Sequence, residues 1–261
     1  MYQKPAKKSL GQHFLQDLYY LNQLLHVISP KEQDFFLEIG PGCGYLTDIL
    51  VAHIKHLTAI EVDGDCVSFL QEKYQDHKQI DIVQGDVLQF DFQSMLGQSG
   101  QAIRWVGNLP YNISVPILLR LLEVSDLVKD AAFLVQKEVS RRVSAQVGQK
   151  HYGRLGIVLQ CVFEVSSVLE IPPSAFDPPP KVDSEVILLK PLKDPCLHYL
   201  QHPKFSDTLI RCFSKRRKML RKIFQGIIDD GGWASTGIDP SLRPEMVSAD
   251  DFYKIACLLE D

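Results

Sequence analysis

The stretch FFLEIGPGCGYLTDIL, residues 35–50, determines the predicted fold. An apolar run ends in three glycines at alternate positions, Gly40, Gly42 and Gly44, and an amphipathic segment follows them. Glycines allow a backbone to turn sharply and to approach a ligand closely. A dinucleotide-binding loop would read G-x-G-x-x-G, but here Tyr45 holds the position of the third glycine. The stretch therefore predicts a strand, a ligand-binding turn and a helix.

The same alternation of short apolar runs and helix-like segments continues to about residue 190. Seven strands are predicted, at 35–39, 57–61, 80–83, 103–107, 131–136, 165–171 and 184–190. Several are continuously apolar, which is typical of a parallel sheet covered on both faces. The connection PPSAFDPPPKVD (172–183) has no room for a crossover helix, so the last strand should be antiparallel. These features predict a Rossmann-like α/β fold with a mostly parallel seven-stranded sheet.

The pattern changes after Lys190. The segment PLKDPCLHYLQHPK reads as a linker, and helices are predicted at 205–229 and 248–260. The second helix opens with Ser248 and Asp251 at the spacing of a capping box. We therefore expect a first domain of residues 1–192 and a small all-α domain of residues 193–261.

Positive charge is concentrated in two short segments. The net charge of the 261-residue chain is −4, yet residues 1–16 carry three lysines and no acid, and residues 211–222 carry seven basic residues and no acid. The rest of the chain is strongly acidic. Such a distribution favours local contact with a polyanion over nonspecific binding, although a solvated charged face is the ordinary alternative.

The cysteines and the termini indicate the compartment. Six cysteines occur without a C-x-x-C pair, so neither a disulfide framework nor a metal site is expected. No apolar run approaches the length of a membrane span, and the amino terminus lacks the apolar region of a secretory signal. A cytoplasmic, monomeric protein without a membrane partner is the expectation.

Acidic side chains stand at or near the ends of three successive predicted strands. Glu38 precedes the glycine turn, Glu61 ends the second strand, and Asp86 follows the third. Glu38 would repel a pyrophosphate but could hold an ammonium group or order water, Glu61 is placed for ribose hydroxyls, and Asp86 for an adenine amino group. Each acid alone could be a loop carboxylate or a helix cap. Together they suit S-adenosylmethionine, which carries an ammonium and a cationic sulfur.

The tetrapeptide NLPY (108–111) follows the fourth predicted strand, where [N/D]-P-P-[Y/F] segments stand in some methyltransferases. The exocyclic amine of adenine is a poor nucleophile, and two acceptors for its hydrogens would help it to attack a methyl group. Asn108 and the carbonyl of Leu109 can serve as these acceptors, and Pro110 restricts the backbone around that carbonyl. Tyr111 offers a flat face to a base. A plain β-turn is the structural alternative.

The sequence resembles the rRNA adenine dimethyltransferase family, and most closely its bacterial small-subunit members. The resemblance rests on nine stretches in order along the chain: KKSLGQHFL (7–15), LEIGPGCGYLT (37–47), IEVD (60–63), QGD (84–86), GNLPYNIS (107–114), VQKEVSRR (135–142), YGRLG (152–156), PPSAFDPPPKVDSEV (172–186) and RRK (216–218). It implies a class I methyltransferase domain, S-adenosylmethionine as donor, and a lid of residues 1–20 over the cofactor. The implied acceptors are two adjacent adenines near the 3′ end of small-subunit (16S) rRNA in the 30S subunit or its precursor, each dimethylated at N6.

The predicted site residues fall into three groups. Those predicted to bind the cofactor are His13, Leu15, Glu38, Gly40, Gly42, Glu61, Asp86, Val87 and Asn108, with His13 standing where the family often has asparagine. Those predicted to act on the base are Asn108, Leu109, Pro110, Tyr111 and Phe176, with Phe176 expected opposite Tyr111 unless it is a loop anchor. Those predicted to contact RNA are Lys7, Lys8, Arg216, Arg217, Lys218, Arg221 and Lys222, the last five on a basic helix face.

Two other functions remain open on the sequence. Antibiotic-resistance enzymes that methylate large-subunit rRNA share NLPY-type motifs, although YGRLG and FDPPPKVDS favour the small-subunit reading. A binding factor that recognises immature small subunits is the alternative from a different class, and a role in small-subunit biogenesis is compatible with catalysis.

Overall fold

A computed structural model describes residues 11–92 and 102–259. It contains the seven predicted strands: β2 (Phe35–Ile39), β3 (His56–Glu61), β4 (Ile80–Gln84), β5 (Ile103–Asn108), β6 (Val128–Gln136), β7 (Phe163–Ile171) and β9 (Ser184–Pro191). They form one sheet in the order β4-β3-β2-β5-β6-β9-β7. Strands β2 to β6 pair in parallel, and β9 pairs with β6 antiparallel. The predicted mostly parallel sheet with an antiparallel last strand is confirmed.

Helices connect the parallel strands and also precede and follow them along the chain. They are α1 (Leu18–Ile28), α2 (Tyr45–Leu50), α3 (Gly64–Lys73), α4 (Ser114–Glu123) and α5 (Lys137–Ser144). The central strands are buried, as their apolar sequences require, and Leu37, Leu57 and Phe133 are all inaccessible to solvent. A second, two-stranded sheet pairs β1 (Phe14–Leu15) with β8 (Phe176–Asp177) in antiparallel register.

The remaining helices lie towards the carboxyl end of the chain. They are α6 (Arg154–Gln160), α7 (Leu197–Gln201), α8 (Phe205–Ser214), α9 (Leu220–Ile223), α10 (Asp230–Thr236) and α11 (Ala249–Cys257). Ser248 caps the start of α11, because its Oγ accepts from Asp251 N at 3.1 Å, and the same hydroxyl donates to Asp251 Oδ2 at 2.9 Å. Of the helices in the described part of the chain, none has the length and the apolar composition of a transmembrane segment.

The single helix predicted at 205–229 is wrong, and so is the continuous basic helix face. Helix α8 ends at Ser214, and Lys218 N donates to Lys215 O at 2.8 Å in the turn that follows. A helix through this segment would stack like charges at i, i+3 and i+4, which is unfavourable. Gly226 then adopts φ 78°, a left-handed conformation that ends helices.

The chain divides into two structural units. The first comprises residues 1–140 and 164–191, and the second comprises residues 141–163 and 192–261. One of these divisions lies one residue before the predicted boundary between residues 192 and 193, and residues 141–163, which the prediction places in the first domain, group with the second unit. The reason is long-range bonding within the second unit, where Tyr152 Oη donates to Val247 O at 2.9 Å.

Candidate functional site

A cavity of about 230 Å³ lies in the first unit at the carboxyl ends of β2, β3, β4 and β5. Its walls are residues 11–14, 60–62, 85–88 and 108–113, together with Ile39, Gly40 and Gly42. Open parallel sheets bind ligands at this edge, where loops from neighbouring strands converge. The strand order therefore brings together the glycine turn, two of the predicted carboxylates and the NLPY tetrapeptide.

The glycine turn combines left-handed backbone conformations with a position that has no room for a side chain. Gly40 and Gly42 have φ of 64° and 59°, which glycine adopts at little cost. A Cβ atom on Gly42 would lie only 2.6 Å from the ring of Phe14. The Gly40 amide donates to Ile60 O at 2.9 Å, so the turn is fixed against the next strand. The predicted need for glycine at these positions therefore has a structural basis.

Glu61 lies in the cavity wall with its side chain almost fully buried. Its Oε2 accepts from the Gly42 amide at 3.0 Å, and its Oε1 accepts from the Asp63 amide at 2.9 Å. Burial raises the pKa of the Glu61 carboxyl. A carboxylate oxygen accepts two hydrogen bonds, so both oxygens keep capacity for hydroxyl donors.

Asp86 and Val87 form the neighbouring wall after β4. Asp86 Oδ1 accepts from Leu88 N at 2.9 Å, and Oδ2 accepts from Gln89 Nε2 at 3.2 Å. Val87 is buried beside it and supplies an apolar surface. The pair combines a hydrogen-bond acceptor with an apolar wall, as an adenine ring requires.

Glu38 lies beside the cavity rather than in its wall. Its Oε2 accepts from Thr47 Oγ1 at 2.7 Å, and it lines a separate space of about 30 Å³ that Gly40 and Asn108 also border. The side chain is 1% exposed, and this burial raises its pKa to about 7. The structure therefore does not bring Glu38 to the main cavity with Glu61.

Two further predicted residues are buried in the core of the first unit instead of lining the cavity. Leu15 and Phe176 are partners in the β1–β8 pair, and Phe176 is 4% exposed. Both belong to the hydrophobic cluster that includes Ala175 and Leu21. Phe176 therefore does not line the main cavity, and its position opposite Tyr111 across the target base stays a prediction beside the alternative of a loop anchor.

Asn108 ends β5 and reaches across the cavity to the amino-terminal segment. Its Nδ2 donates to the carbonyl of His13 at 2.7 Å. This bond orients the amide and leaves Oδ1 as the atom that can accept from an incoming group. The predicted acceptor role of Asn108 is therefore geometrically possible.

Tyr111 is held at both its face and its hydroxyl. The ring stacks on His13 with centroids 5.3 Å apart and an interplanar angle of 26°. Its hydroxyl is hydrogen-bonded to Ser184 Oγ at 2.6 Å, and burial raises the pKa of Tyr111. His13 in turn donates from Nδ1 to Pro178 O at 2.7 Å. His13 was predicted only as a cofactor contact, and Ser184 was not predicted at all, although it stands in the quoted stretch PPSAFDPPPKVDSEV.

The residues predicted to contact RNA differ in solvent exposure and in their hydrogen bonds within the protein. Arg217, Lys218, Arg221 and Lys222 are exposed. Arg216 is half-buried, and it donates to Glu245 Oε2 and to Lys150 O, both at 2.7 Å, so part of its capacity serves the second unit itself. Lys7 and Lys8 lie outside the described residues.

Sequence reasoning missed one basic segment. Residues 141–163 contain no acid, and their basic side chains are all exposed: Arg141, Arg142, Lys150 and Arg154. This segment belongs to the same unit as residues 211–222. A count of acids along the whole chain would have found it.

Known proteins resemble the chain over almost its whole length. A family model described as Ribosomal RNA adenine dimethylase matches residues 3–261. Proteins named Ribosomal RNA small subunit methyltransferase A from Coxiella burnetii (strain Dugway 5J108-111) and Dechloromonas aromatica (strain RCB) are each 40% identical to it. The first match covers 99% of this chain and 100% of the relative, and the second covers 96% of each.

Solved structures show the same fold. A dimethyladenosine transferase from Plasmodium falciparum superposes with a TM-score of 0.77 at 26% identity, over 93% of this chain and 96% of that one. The 23S rRNA methyltransferase ErmE superposes with a TM-score of 0.73 at 22% identity, over 95% of this chain and 100% of that one. The family match spans the cavity residues described above as well as the second unit. The chain therefore belongs to the ribosomal RNA adenine dimethylase family.

Proposed function

We propose that this protein transfers methyl groups from S-adenosylmethionine to N6 of two adjacent adenines near the 3′ end of small-subunit (16S) rRNA, and so takes part in small-subunit biogenesis. The observation that carries the proposal is the orientation of Asn108, whose amide nitrogen is engaged by His13 O while Oδ1 is left to accept. The small-subunit name of relatives that are 40% identical over nearly the whole chain supports this choice of RNA.

The cavity suits the methyl donor that family membership implies. The glycine turn offers a close approach for the methionine portion, Glu61 offers acceptors for ribose hydroxyls, and Asp86 with Val87 offers an acceptor and an apolar wall for the adenine. When bound, S-adenosylmethionine supplies an electrophilic methyl carbon. The two carboxylates named here, Glu61 and Asp86, both line the main cavity.

The NLPY tetrapeptide would hold the base that reacts. Its backbone is fixed by bonds from Leu109 N to Leu134 O at 3.0 Å and from Ile113 N to Pro110 O at 3.1 Å. In the proposed arrangement, Asn108 Oδ1 and the carbonyl of Leu109 accept the two N6 hydrogens, and Tyr111 stacks on the ring. Such positioning accounts for several kcal/mol of a barrier without a strong base.

A methylation assay with both ribosomal subunits tests the proposal. Purified protein and isotopically labelled donor are incubated with 30S and 50S subunits, and the rRNA is digested and analysed by mass spectrometry. Dimethyladenine at two adjacent positions of 16S rRNA is expected. Label on the 50S subunit alone would favour the resistance-type activity, and 30S binding without label would favour a noncatalytic assembly factor.

The exposed basic residues of the second unit are the proposed RNA contacts. We expect Arg217→Ala with Lys218→Ala to weaken 30S binding and to reduce its salt dependence, because each lost phosphate contact lowers the slope of log K against log salt by about 0.9. Donor affinity should be unchanged. Lys55→Ala with Lys78→Ala removes the same charge from exposed positions of the first unit and serves as the control.

We infer that the protein acts as a monomer in the cytoplasm, where 30S precursors are available. The six cysteines, none of them in a C-x-x-C pair, support a reducing compartment. Light scattering of the purified protein and fractionation of cells that express it test these two statements.

A further inference from the structure

Ser184 makes a contact with the aromatic side chain of the tetrapeptide that the proposed reaction does not explain. Its side chain is 0% exposed, and its Oγ lies 2.6 Å from the hydroxyl of Tyr111. A base stacks on the face of a tyrosine ring, and phenylalanine would offer a similar face. The hydroxyl of Tyr111 is therefore not needed for stacking itself.

The sheet register explains how Ser184 reaches the cavity edge. Asn108 pairs with Leu134 between β5 and β6, and Gln136 pairs with Ser184 between β6 and β9. Because β9 is antiparallel, its first residue lies at the edge where the parallel strands end. A parallel last strand would have placed its first residue at the opposite edge.

Ser184 is also a firm point of attachment. The next residue, Glu185, is buried, and its Oε2 accepts from Ser140 Oγ at 2.5 Å and from Ser167 Oγ at 2.7 Å. Tyr111, in contrast, lies in the turn between β5 and α4, where its ring orientation depends on side-chain contacts. A group on a strand fixes a side chain more accurately than a group on a loop.

We propose that Ser184 is a positioning residue for methyl transfer: its hydroxyl holds the ring of Tyr111 in the orientation that the target base requires. The hydrogen bond joins β9 to the turn after β5 and fixes the position of the Tyr111 hydroxyl, which limits rotation of the side chain about χ1. This inference rests on the proposed function.

A double-mutant cycle tests it through single-turnover methyl transfer to 30S subunits at saturating donor and RNA. Ser184→Ala and Tyr111→Phe each remove the same hydrogen bond, from opposite sides. We expect each to lower the rate constant by about threefold to tenfold. The double variant should be no slower than the slower single variant, because neither change has anything further to remove.

Three further measurements separate positioning from general destabilisation. Thr208→Val removes an equally buried hydroxyl, which lies on α8 in the second unit, and should leave the rate constant unchanged even if it alters Tm. Ser184→Thr keeps a hydroxyl and should restore at least half of the wild-type rate constant. Donor affinity should be the same in all variants.

The possible outcomes distinguish this inference from the proposed function. If the wild-type protein transfers no methyl group to 16S rRNA, the proposed function fails. If the wild-type protein is active but Tyr111→Phe retains the full rate, the inference about Ser184 fails alone. It also fails if Ser184→Ala slows the Tyr111→Phe protein as much as it slows the wild type. Tyr111→Phe keeps the test decisive should Ser184→Ala not fold.

Discussion

The two edges of the sheet in the first unit both carry buried carboxylates, but they satisfy them differently. At the carboxyl edge, Glu61 accepts from two backbone amides, and it has no ion pair within the described residues. At the amino edge, Asp34 is 1% exposed and accepts from Arg104 Nη1 at 2.8 Å and from Lys129 Nζ at 2.7 Å. Glu61 at the carboxyl edge can therefore still accept hydrogen bonds from a ligand, whereas Asp34 at the amino edge already accepts from Arg104 and Lys129.

The amino edge is a closed network around Arg104. Besides Asp34, its guanidinium donates from Nε to both oxygens of Asp130 at 2.8 and 3.1 Å, and from Nη1 and Nη2 to Ser29 O and Ile28 O. Burial alone would raise the pKa of Asp34, but the hydrogen bonds from Lys129 and Arg104 leave it below its ordinary value. The ion pairs of Asp34 with Arg104 and Lys129 hold neighbouring strands together. Glu61, which accepts from backbone amides, keeps lone pairs that a ligand can use.

The largest effect expected from this contrast is a loss of catalysis at the carboxyl edge without a comparable loss of stability. Asn108→Ala removes the proposed acceptor for the N6 hydrogens and should lower the single-turnover rate constant by about 100-fold to 1,000-fold. The free energy of unfolding should fall by only about 1 kcal/mol, the value of the bond to His13 O.

Asn22→Ala is the control for Asn108→Ala, because Asn22 makes a similar bond, to Leu18 O at 2.7 Å, on the exposed surface of α1. It should leave the rate constant unchanged. Undiminished methyl transfer by Asn108→Ala would remove the basis of the proposed chemistry.

The opposite result is expected at the amino edge. Asp34→Asn leaves Arg104 and Lys129 without their shared carboxylate and should lower the free energy of unfolding by about 3 kcal/mol, measured by urea denaturation. At a temperature where the variant is folded, its rate constant should equal that of the wild type. Asp81→Asn removes an exposed carboxylate that pairs with His56 and should cost well under 1 kcal/mol. A large loss of activity by folded Asp34→Asn would show that the two edges are not independent.

Local signals were enough to predict the carboxyl edge of this comparison. Continuous apolar runs predicted the strands, and the glycines with Glu61 and Asp86 predicted the loops that follow β2, β3 and β4. Each of these residues acts within a few positions of a strand end, and the strand order then brings the loops together. That is why a sequence pattern could predict residues of the cavity wall at the ends of β2, β3, β4 and β5.

The remaining features depend on pairing between distant segments. Phe176 is turned into the core by its pairing with Leu15, and Ser184 reaches Tyr111 only because β9 lies against β6. Arg104 and Asp34 are 70 residues apart and meet because β2 and β5 are neighbours. Within 205–229, like charges oppose a helix that continues past α8, and Gly226 adopts a left-handed conformation after α9. The spacing of apolar residues indicates neither the charge repulsion nor the conformation of Gly226.

Donor binding provides a smaller test at the carboxyl edge. Glu61→Gln keeps the size of the side chain but replaces one acceptor oxygen by a donor, and should weaken S-adenosylmethionine binding by about 10-fold to 100-fold in calorimetry. Binding of 30S subunits should be unaffected, since no proposed RNA contact involves Glu61. Glu72→Gln, on the exposed side of α3, is the control and should leave donor affinity unchanged. Equal loss of donor and RNA binding would contradict the division between cavity and basic surface.

Glu38 gives the smallest and most specific effect, because it is a buried carboxyl at the carboxyl edge that accepts a hydrogen bond from the neutral Thr47 hydroxyl. Burial raises its pKa from 4.5 to about 7, so between these values the folded state holds a proton that the unfolded state has released. The contribution of Glu38 to stability therefore falls as pH rises from about 4.5 to about 7. Glu38→Gln cannot ionise, and its stability relative to the wild type should increase by about 1 kcal/mol between pH 6 and pH 8. Urea denaturation of both proteins at the two pH values measures this difference, and a difference that does not change with pH would show that Glu38 is not protonated in the folded protein.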